Sequence, residues 1–128
     1  MDERAPASDQ AAATILVCDD DPSLRELVRA VLGPGYHFVE AADGTEALAL
    51  TRELRPDLIV LDVMLPGLSG IEVLGELRLD EQIRDIPVIV ITAWSHAEVE
   101  AHLAGADRFV AKPFDPDELS NAVRELLP

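Results

Sequence analysis

Hydrophobic residues follow two alternating patterns along this chain: short continuous runs, and longer segments with helical spacing. The continuous runs are Ile15–Cys18, Phe38–Val39, Leu58–Leu61, Val88–Ile91 and Phe109–Ala111. Most of them do not alternate with polar residues, which is typical of parallel strands covered on both faces. The pattern therefore predicts five short buried strands.

Between the runs, apolar residues recur three and four positions apart, as on one face of a helix. The strongest stripes are Leu24, Leu27, Val28, Val31 and Leu32, and then Leu119, Ala122, Val123 and Leu126. Weaker stripes predict three more helices, at Ala47, Leu50 and Leu54, at Ile71, Leu74 and Leu77, and at Val99 and Leu103. Strands that alternate with helices in this way predict an α/β protein, a parallel sheet with helices on both faces.

Residues that begin and end helices lie at the boundaries of these segments. Asp21-Pro22 offers an N-cap followed by proline at the first helical position. Asp115 with Glu118 is typical of a capping pair, and Gly105 is placed to end the fourth helix. The local signals thus agree with a strand–helix unit repeated five times.

Length and composition limit the class of protein. The chain has 128 residues, 48% of them hydrophobic, which suits one domain with a single core. Its one cysteine, Cys18, excludes a disulfide framework and a cysteine-built zinc site. The apolar runs are too short for a membrane span, and the start of the chain lacks a signal-peptide pattern. We expect a cytoplasmic protein with a flexible acidic tail over residues 1–13 and one domain over residues 14–128.

Charge narrows the choice of partners. The chain has 25 acidic and 10 basic residues, a formal net charge of −15, which repels nucleic acid phosphates and argues against direct DNA or RNA binding. Nine of the basic residues are arginines, so the lone lysine, Lys112, raises the question of a role specific to lysine. Arg25, Glu26 and Arg29 are expected on the solvent-exposed face of the first helix.

Polar residues gather where the predicted strands end. The carboxyl ends of parallel strands meet at one edge of the sheet, where doubly wound proteins bind ligands. The sequence places there Asp19, Asp20 and Asp21 after strand 1, Asp62 at the end of strand 3, Thr92 at the end of strand 4 and Lys112 after strand 5. Each alone has a structural explanation, such as a helix cap, a loop-entry residue or an ion-pair partner. Together they are more consistent with a shared site.

The chemistry of these side chains suggests what that site does. Adjacent carboxylates such as Asp19 and Asp20 repel each other unless a cation lies between them, and oxygen ligands at a partly solvated edge suit Mg²⁺. Asp62 then has the chemistry of a nucleophile toward a phosphoryl group. Lys112 could neutralise charge on the phosphoryl oxygens, and Thr92 could donate a hydrogen bond to them.

Four segments resemble the receiver domain of bacterial response regulators: ILVCDDDPSLRELV, LIVLDVMLPGLSGIEVL, IPVIVITAW and GADRFVAKPF. They occur in the family's order and at plausible spacing, and the resemblance runs from about Thr14 to Leu127. It implies a flavodoxin-like fold, a doubly wound (βα)5 arrangement with a five-stranded parallel sheet in the order 2-1-3-4-5.

The resemblance also implies roles for the acidic residues. It makes Asp62 the phospho-acceptor and Asp19 and Asp20 the acidic pair. The implied Mg²⁺ ligands are Asp19, Asp20, Asp62 and the backbone carbonyl of Met64. A cis peptide bond is implied at Lys112-Pro113, since cis bonds are essentially confined to those before proline.

Further roles fall on the ends of strands 4 and 5. By the same resemblance, Thr92 and Lys112 contact the phosphoryl group, and Thr92 and Phe109 form the switch, with Phe109 turning inward when Thr92 moves. Met64 and Trp94 lie where the family tunes hydrolysis of its own acyl phosphate. We predict that these two apolar side chains hinder the attacking water.

The implied function is a signalling switch of a two-component or phosphorelay system, which assists its own phosphorylation and dephosphorylation and is not an enzyme with an external substrate. A sensor histidine kinase or a histidine phosphotransfer protein would phosphorylate Asp62. The surface of helix 4, strand 5 and helix 5 would then control binding of an unidentified protein partner. No nucleic acid or membrane partner is expected, and a phosphorylation-dependent homodimer is compatible with this scheme. The sequence leaves open a stand-alone regulator or part of a longer regulator or hybrid kinase.

Three alternatives use similar residues. An aspartate-nucleophile phosphatase of the haloacid dehalogenase type has a DxD pattern after strand 1, which residues 19–21 superficially match, but Pro22 stands where a small or hydroxyl residue is needed. A flavodoxin-like binding module would take phosphate at that loop, where three aspartates repel it. A degenerate receiver, acting as a phosphorylation-independent interaction module, normally lacks an acid or the lysine that this chain retains.

Overall fold

Strands and helices alternate along residues 12–93 and 95–127, which the computed structural model of the protein describes. The elements are β1 (Thr14–Cys18), α1 (Pro22–Leu32), β2 (His37–Ala41), α2 (Gly44–Leu54), β3 (Leu58–Asp62), α3 (Gly70–Leu79), β4 (Val88–Thr92), α4 (Ser95–Ala104), β5 (Arg108–Ala111) and α5 (Pro116–Leu126). Residues 1–11 of the predicted tail and the predicted tuning residue Trp94 lie outside the described residues. In the described ranges, no helix combines the length and the apolar character needed to cross a membrane.

The five strands form one parallel sheet in the order β2-β1-β3-β4-β5, which confirms the predicted fold and strand order. The register places Cys18 beside Leu61, so the residues that follow them, Asp19 and Asp62, lie at the same edge of the sheet. Asp62 pairs with Ile91, and Thr92 pairs with Ala111, directly before Lys112. Strand register alone therefore brings the predicted site residues to one edge.

Two hydrophobic clusters cover the two faces of the sheet. Successive strand residues point to opposite faces, so a strand that is buried on both sides is apolar throughout. One cluster joins alternate strand residues to α2, α3 and α4 through Leu16, Ile59, Leu61, Val90, Ala47, Leu74, Leu77 and Ala101. The other joins the remaining strand residues to α1 and α5 through Ile15, Val17, Val60, Ile89, Val28, Leu119 and Val123. The central strands β3 and β4 are buried along their whole length.

The apolar stripe predicted for the fourth helix is wrong. Val99 and Leu103 are 63% and 84% exposed, whereas Ala101 is buried against the sheet. At 3.6 residues per turn, Ala101 lies about 200° around the helix from both of them. The stripe of large residues therefore faces away from the core, and small alanines make the contact. In α1, Leu27 was also expected in the buried stripe but is 48% exposed.

Side-chain caps fix where several helices begin. The carboxylate of Asp21 accepts a hydrogen bond from the amide of Ser23, with proline following at the first helical position, as predicted. Asp115 caps α5 by accepting from the amide of Asp117. At the end of α4, Gly105 adopts a φ of 95°, a left-handed backbone conformation that favours glycine.

Arg78 joins the end of α3 to the two loops beside it. Its Nε donates to the carbonyl of Gly105 at 2.9 Å, and its Nη1 donates to the carbonyls of Arg84 and Ile86 at 2.7 and 2.8 Å. Its Nη2 is 2.8 Å from the carboxylate of Asp107. One guanidinium thus satisfies three backbone carbonyls and one acid, in a geometry that a lysine ammonium cannot reproduce.

We expect Arg78→Met to lower the free energy of unfolding by about 2–3 kcal/mol, because it leaves several polar groups without their partner. Arg78→Lys should recover only a small part of this loss. The control is Arg52→Met, since Arg52 is half-exposed and makes only carboxylate contacts on the surface; it should change stability by less than about 1 kcal/mol. Urea unfolding measures all three variants, and equal effects of Arg78→Met and Arg52→Met would contradict this role of Arg78.

Candidate functional site

Three carboxylates converge at the carboxyl edge of the sheet. Asp19 directly follows β1, and Asp62 is the last residue of β3; both are only 4% exposed, whereas Asp20 is exposed. One carboxylate oxygen from each of the three residues lies within 4.8 Å of the others. The structure therefore brings together the acidic residues that the strand ends predicted.

Lys112 bridges the two buried acids. Its Nζ lies 3.0 Å from Oδ2 of Asp62 and 3.3 Å from Oδ2 of Asp19. Partial burial by itself lowers the pKa of Lys112, but the hydrogen bond and charge of Asp62, together with those of Asp19, outweigh it and raise the pKa above its ordinary value. The ammonium is thus held charged between the carboxylates. The Lys112-Pro113 peptide bond is cis, as the resemblance implied.

The second oxygen of each buried acid is held by the backbone. Oδ1 of Asp19 accepts from the amide of Asp21 at 2.9 Å, and Oδ1 of Asp62 accepts from the amide of Met64 at 3.2 Å. Burial raises the pKa of the Asp19 carboxyl, and the charge of Asp62 raises it further, while the Asp21 amide and Lys112 act in the opposite direction. The net effect is a raised pKa, mainly because burial disfavours the charged form of the carboxyl.

The donor set fits a hard divalent cation. Three carboxylates meet at this edge with one ammonium among them, which leaves a local excess of negative charge. All of these ligand atoms are oxygens, and the exposed side chain of Asp20 keeps the cluster open to solvent. Mg²⁺ prefers such sites, where a few carboxylates bind it and water fills the remaining positions.

The predicted switch residues lie on the neighbouring strands. Thr92, the last residue of β4, is 1% exposed, and its carbonyl accepts from the amide of Lys112 at 2.9 Å. Phe109 lies on β5 opposite Val90, half-buried against the cluster shared by α2, α3 and α4. Met64 is 55% exposed and is joined to the site by its amide hydrogen bond with Asp62.

The sequence interpretation of Arg25 as a solvated residue is wrong. Its side chain is 16% exposed, its Nε is 2.7 Å from Glu40 Oε1, and its Nη1 donates to the backbone carbonyl of Asp19 at 2.6 Å. Because α1 begins only three residues after Asp19, its first turn lies beside the loop that carries the acids. The charged Glu40, which stands in β2 between the apolar Val39 and Ala41, is the signal that could have revealed this contact.

Gly70 has no reactive side chain, but it also determines the structure of the site. A Cβ on Gly70, the first residue of α3, would lie 2.1 Å from the carbonyl oxygen of Asp62 and 2.7 Å from Cα of Val63. The amide of Gly70 donates to the carbonyl of Val63 at 2.9 Å. The start of α3 therefore packs directly on the backbone that presents Asp62. Sequence pattern gives no sign of this close approach.

Cys18 is expected to be inert in the folded protein, although it directly precedes Asp19. It is 1% exposed, and burial, with a smaller effect from the charges of Glu46 and Asp19, raises the pKa of its thiol well above the ordinary range. Because thiol reagents need the accessible thiolate, labelling should be at least about 1,000-fold slower in native buffer than in concentrated urea. Ellman's reagent measures both rates; rapid native labelling would contradict the burial of Cys18.

The fold and this edge together define a class of protein. The family model described as the response regulator receiver domain matches residues 15–124. The chain belongs to the family of response regulator receiver domains. This confirms the resemblance carried by the four sequence segments.

Individual relatives are similar over most of this chain. The DNA-binding response regulator MtrA of Mycolicibacterium smegmatis is 47% identical in an alignment 116 residues long, which covers 88% of this chain and 50% of the relative. The DNA-binding dual master transcriptional regulator RpaA of a Synechocystis species is 43% identical over 88% of this chain and 48% of the relative. The chain thus spans about half the length of these curated relatives.

Solved structures agree in fold. The chemotaxis response regulator CheY4 of Vibrio cholerae is 32% identical with a TM-score of 0.84, covering 91% of this chain and 100% of that one. The receiver domain of the sensor histidine kinase PA1611 of Pseudomonas aeruginosa is 31% identical with a TM-score of 0.83, covering 91% of this chain and 98% of that one. The latter structure has a magnesium ion coordinated in its active site cleft.

Proposed function

We propose that residues 14–128 act as a phospho-accepting switch. Asp62 accepts a phosphoryl group from a sensor histidine kinase or a histidine phosphotransfer protein, and the modified domain controls a protein partner. The observation that carries this proposal is the placement of the buried Asp62 carboxylate 3.0 Å from Lys112 Nζ, within the group that it forms with Asp19 and Asp20. A buried acid kept beside a lysine and two further acids is costly for the fold, and functional sites are where such costs are found.

The transfer step forms one bond and breaks one. A carboxylate oxygen of Asp62 bonds to phosphorus while the bond between phosphorus and the imidazole nitrogen of the donor breaks, and that nitrogen keeps the electron pair. The Met64 amide holds one oxygen of Asp62 in place, which limits the directions from which it can attack. Lys112, whose Nζ lies 3.0 Å from Asp62, can neutralise charge on the phosphoryl oxygens. The hydroxyl of Thr92 can donate a hydrogen bond to the same oxygens.

We assign Mg²⁺ to the acidic group, held by Asp19, Asp20, Asp62 and the backbone carbonyl of Met64. When bound, the metal supplies positive charge that stabilises the phosphoryl oxygens during transfer. The assignment is supported by the three carboxylate oxygens within 4.8 Å of one another. It is also supported by the magnesium ion in the similar receiver domain of PA1611.

The proposed readout passes through the adjacent strands. Thr92 lies at the end of β4 and Phe109 on the neighbouring β5, so a change at Thr92 can reach the surface formed by α4, β5 and α5. A covalent phosphoryl group adds charge and hydrogen-bond acceptors that bias such a two-state surface. The exposed Val99 and Leu103 of α4 give this surface apolar groups for a protein partner.

Phosphorylation by a small donor tests the proposal. The protein is incubated with acetyl phosphate and Mg²⁺, and the phosphorylated fraction is read on a phosphate-affinity gel. We expect a modified band that requires Mg²⁺, disappears with EDTA, and is removed by hydroxylamine, which cleaves acyl phosphates but not phosphate esters. Asp57→Asn, a substitution in the loop before β3, should leave the band unchanged. No modification, or a hydroxylamine-resistant one, would contradict the proposal.

Met64 is proposed to slow hydrolysis of the acyl phosphate, together with Trp94. Its apolar side chain is 55% exposed, two residues after Asp62, where it can obstruct an attacking water. Met64→Asn should therefore speed dephosphorylation several-fold, as measured by the decay of the phosphorylated band after donor removal. Leu79→Asn is the matched control, since Leu79 is 82% exposed at the far end of α3. Equal decay in both variants would contradict this role of Met64.

A further inference from the structure

Arg25 connects the loop of the acidic residues to the end of β2. Its Nη1 donates to the carbonyl oxygen of Asp19 at 2.6 Å, and its Nε contacts Glu40 Oε1 at 2.7 Å. The other oxygen of Glu40 is 2.8 Å from Nη1 of Arg29. The two arginines of α1 thus share one carboxylate, but of these two only Arg25 also donates a hydrogen bond to the loop that carries the acidic residues.

These contacts are of the strong, charge-assisted kind. The side chain of Arg25 is 16% exposed and that of Glu40 is 32% exposed, so solvent screens the pair only partly. The hydrogen bond from Arg25 lowers the pKa of the Glu40 carboxyl, against the opposing effect of its partial burial, and Arg29 lowers it further. Glu40 is therefore held ionised, and it fixes the direction of the guanidinium that reaches Asp19.

The atom that Arg25 holds lies between the two adjacent acids. The carbonyl of Asp19 belongs to the planar peptide unit that joins Asp19 to Asp20, so its direction sets how both residues leave the strand. The amide on the other side of Asp19 donates to the carbonyl of Ala41 at 3.1 Å. The end of β2 thus fixes Asp19 twice, directly through Ala41 and indirectly through Glu40 and Arg25.

We infer that Arg25, fixed by Glu40, is a positioning residue for the divalent cation site: it holds the Asp19–Asp20 peptide so that both carboxylates point to one cation. This inference rests on the proposed function, because it assumes that these acids bind Mg²⁺. Arg25 itself donates to Glu40 and to a backbone carbonyl, and it is assigned no direct contact with the cation or the phosphoryl group.

The sign of the effect separates positioning from simple electrostatics. Arg25 carries a positive charge beside the site, so by charge alone its removal should strengthen Mg²⁺ binding. If Arg25 orders the acidic loop, its removal should weaken Mg²⁺ binding, and partners that orient metal ligands typically contribute about 10–100-fold in affinity. The two explanations therefore predict opposite changes for the same variant.

The test is titration of Mg²⁺ by isothermal calorimetry, with the free energy of unfolding in EDTA measured for every variant. We expect Arg25→Gln to bind Mg²⁺ about tenfold more weakly than wild type. Arg29→Gln is the matched control, because it loses a contact with the same Glu40 carboxylate but none with Asp19; its affinity should stay within about twofold of wild type. Arg25→Lys keeps the positive charge, yet it should still bind Mg²⁺ more weakly than Arg29→Lys does. This comparison of the two lysine variants provides the test if Arg25→Gln unfolds.

A double substitution provides the second readout. If Glu40 acts through Arg25, Arg25→Gln combined with Glu40→Gln should bind Mg²⁺ as weakly as Arg25→Gln alone. If charge alone matters, the two changes should cancel and restore affinity close to wild type. Equal or tighter binding by Arg25→Gln, or cancellation in the double variant, would overturn the inference while leaving the proposed function intact. A wild-type protein that binds no Mg²⁺ would overturn both.

Discussion

Gly70→Ala is expected to lower the free energy of unfolding by about 3 kcal/mol, because its Cβ meets rigid backbone with no side chain able to yield. The new carbon would lie 2.1 Å from the carbonyl oxygen of Asp62 and 2.7 Å from Cα of Val63. Either α3 moves away from the sheet or the end of β3 shifts. A shift of β3 displaces the Asp62 carboxylate, and a movement of α3 pulls on the loop whose Met64 amide holds that carboxylate. Phosphorylation should therefore also become slower, as measured with acetyl phosphate and Mg²⁺.

The same substitution at Gly75 provides the control within one helix. Gly75 lies inside α3, and a Cβ there would meet nothing within 4 Å. Because glycine weakens the interior of a helix, Gly75→Ala should stabilise the protein by about 0.5–1 kcal/mol and leave phosphorylation unchanged. Urea unfolding of both variants measures the contrast. A Gly70→Ala variant as stable as wild type would mean that α3 does not pack on the Asp62 backbone as described.

Lys112→Met is expected to destabilise the protein in metal-free buffer by about 2–4 kcal/mol. Lys112 contacts Asp62 at 3.0 Å and Asp19 at 3.3 Å, and both acids are almost fully buried. Removing one partner of a buried ion pair usually costs about 3–5 kcal/mol, because it leaves a charge without compensation. The side chain of Lys112 is 26% exposed, so solvent reduces this effect somewhat. Methionine retains most of the packing of the lysine side chain, so the loss of stability measures the effect of removing the positive charge.

Two variants check that explanation. Arg108→Met removes a half-exposed cation from β5, the strand that directly precedes Lys112, and should cost less than about 1 kcal/mol. Asp62→Asn should instead stabilise the metal-free protein, because it removes a charge from the acidic group while the amide oxygen can still accept from Met64. Urea unfolding in EDTA measures each. If Lys112→Met and Arg108→Met had equal effects, the lysine would not be compensating the buried acids.

The sheet and the main site residues could be predicted because a parallel sheet leaves little freedom. Continuous apolar runs identified the strands, and the carboxyl ends of parallel strands must meet at one edge. Asp19, Asp62, Thr92 and Lys112 each follow or end a strand, so their convergence required no knowledge of side-chain packing. The strand order and the cis bond at Lys112-Pro113 came from the family resemblance instead.

The remaining features depend on contacts between elements, which periodicity does not encode. Val99 and Leu103 have the spacing of a buried stripe, yet α4 packs through Ala101, because a small residue permits close contact with the sheet. The contact of Arg25 with Asp19 depends on how α1 leaves the first strand. The fit of Gly70 against Asp62 depends on the path of the loop between β3 and α3. The last two of these features concern how precisely the acids are held.

The central claim is that Asp62 is the phospho-acceptor, and intact-mass measurement tests it most directly. Wild type and Asp62→Asn are each incubated with acetyl phosphate and Mg²⁺, after urea unfolding has shown that both are folded. We predict the addition of one phosphoryl group to wild type and none to Asp62→Asn. An unmodified wild type, or the same gain of mass in Asp62→Asn, would contradict the assignment of the chemistry to Asp62.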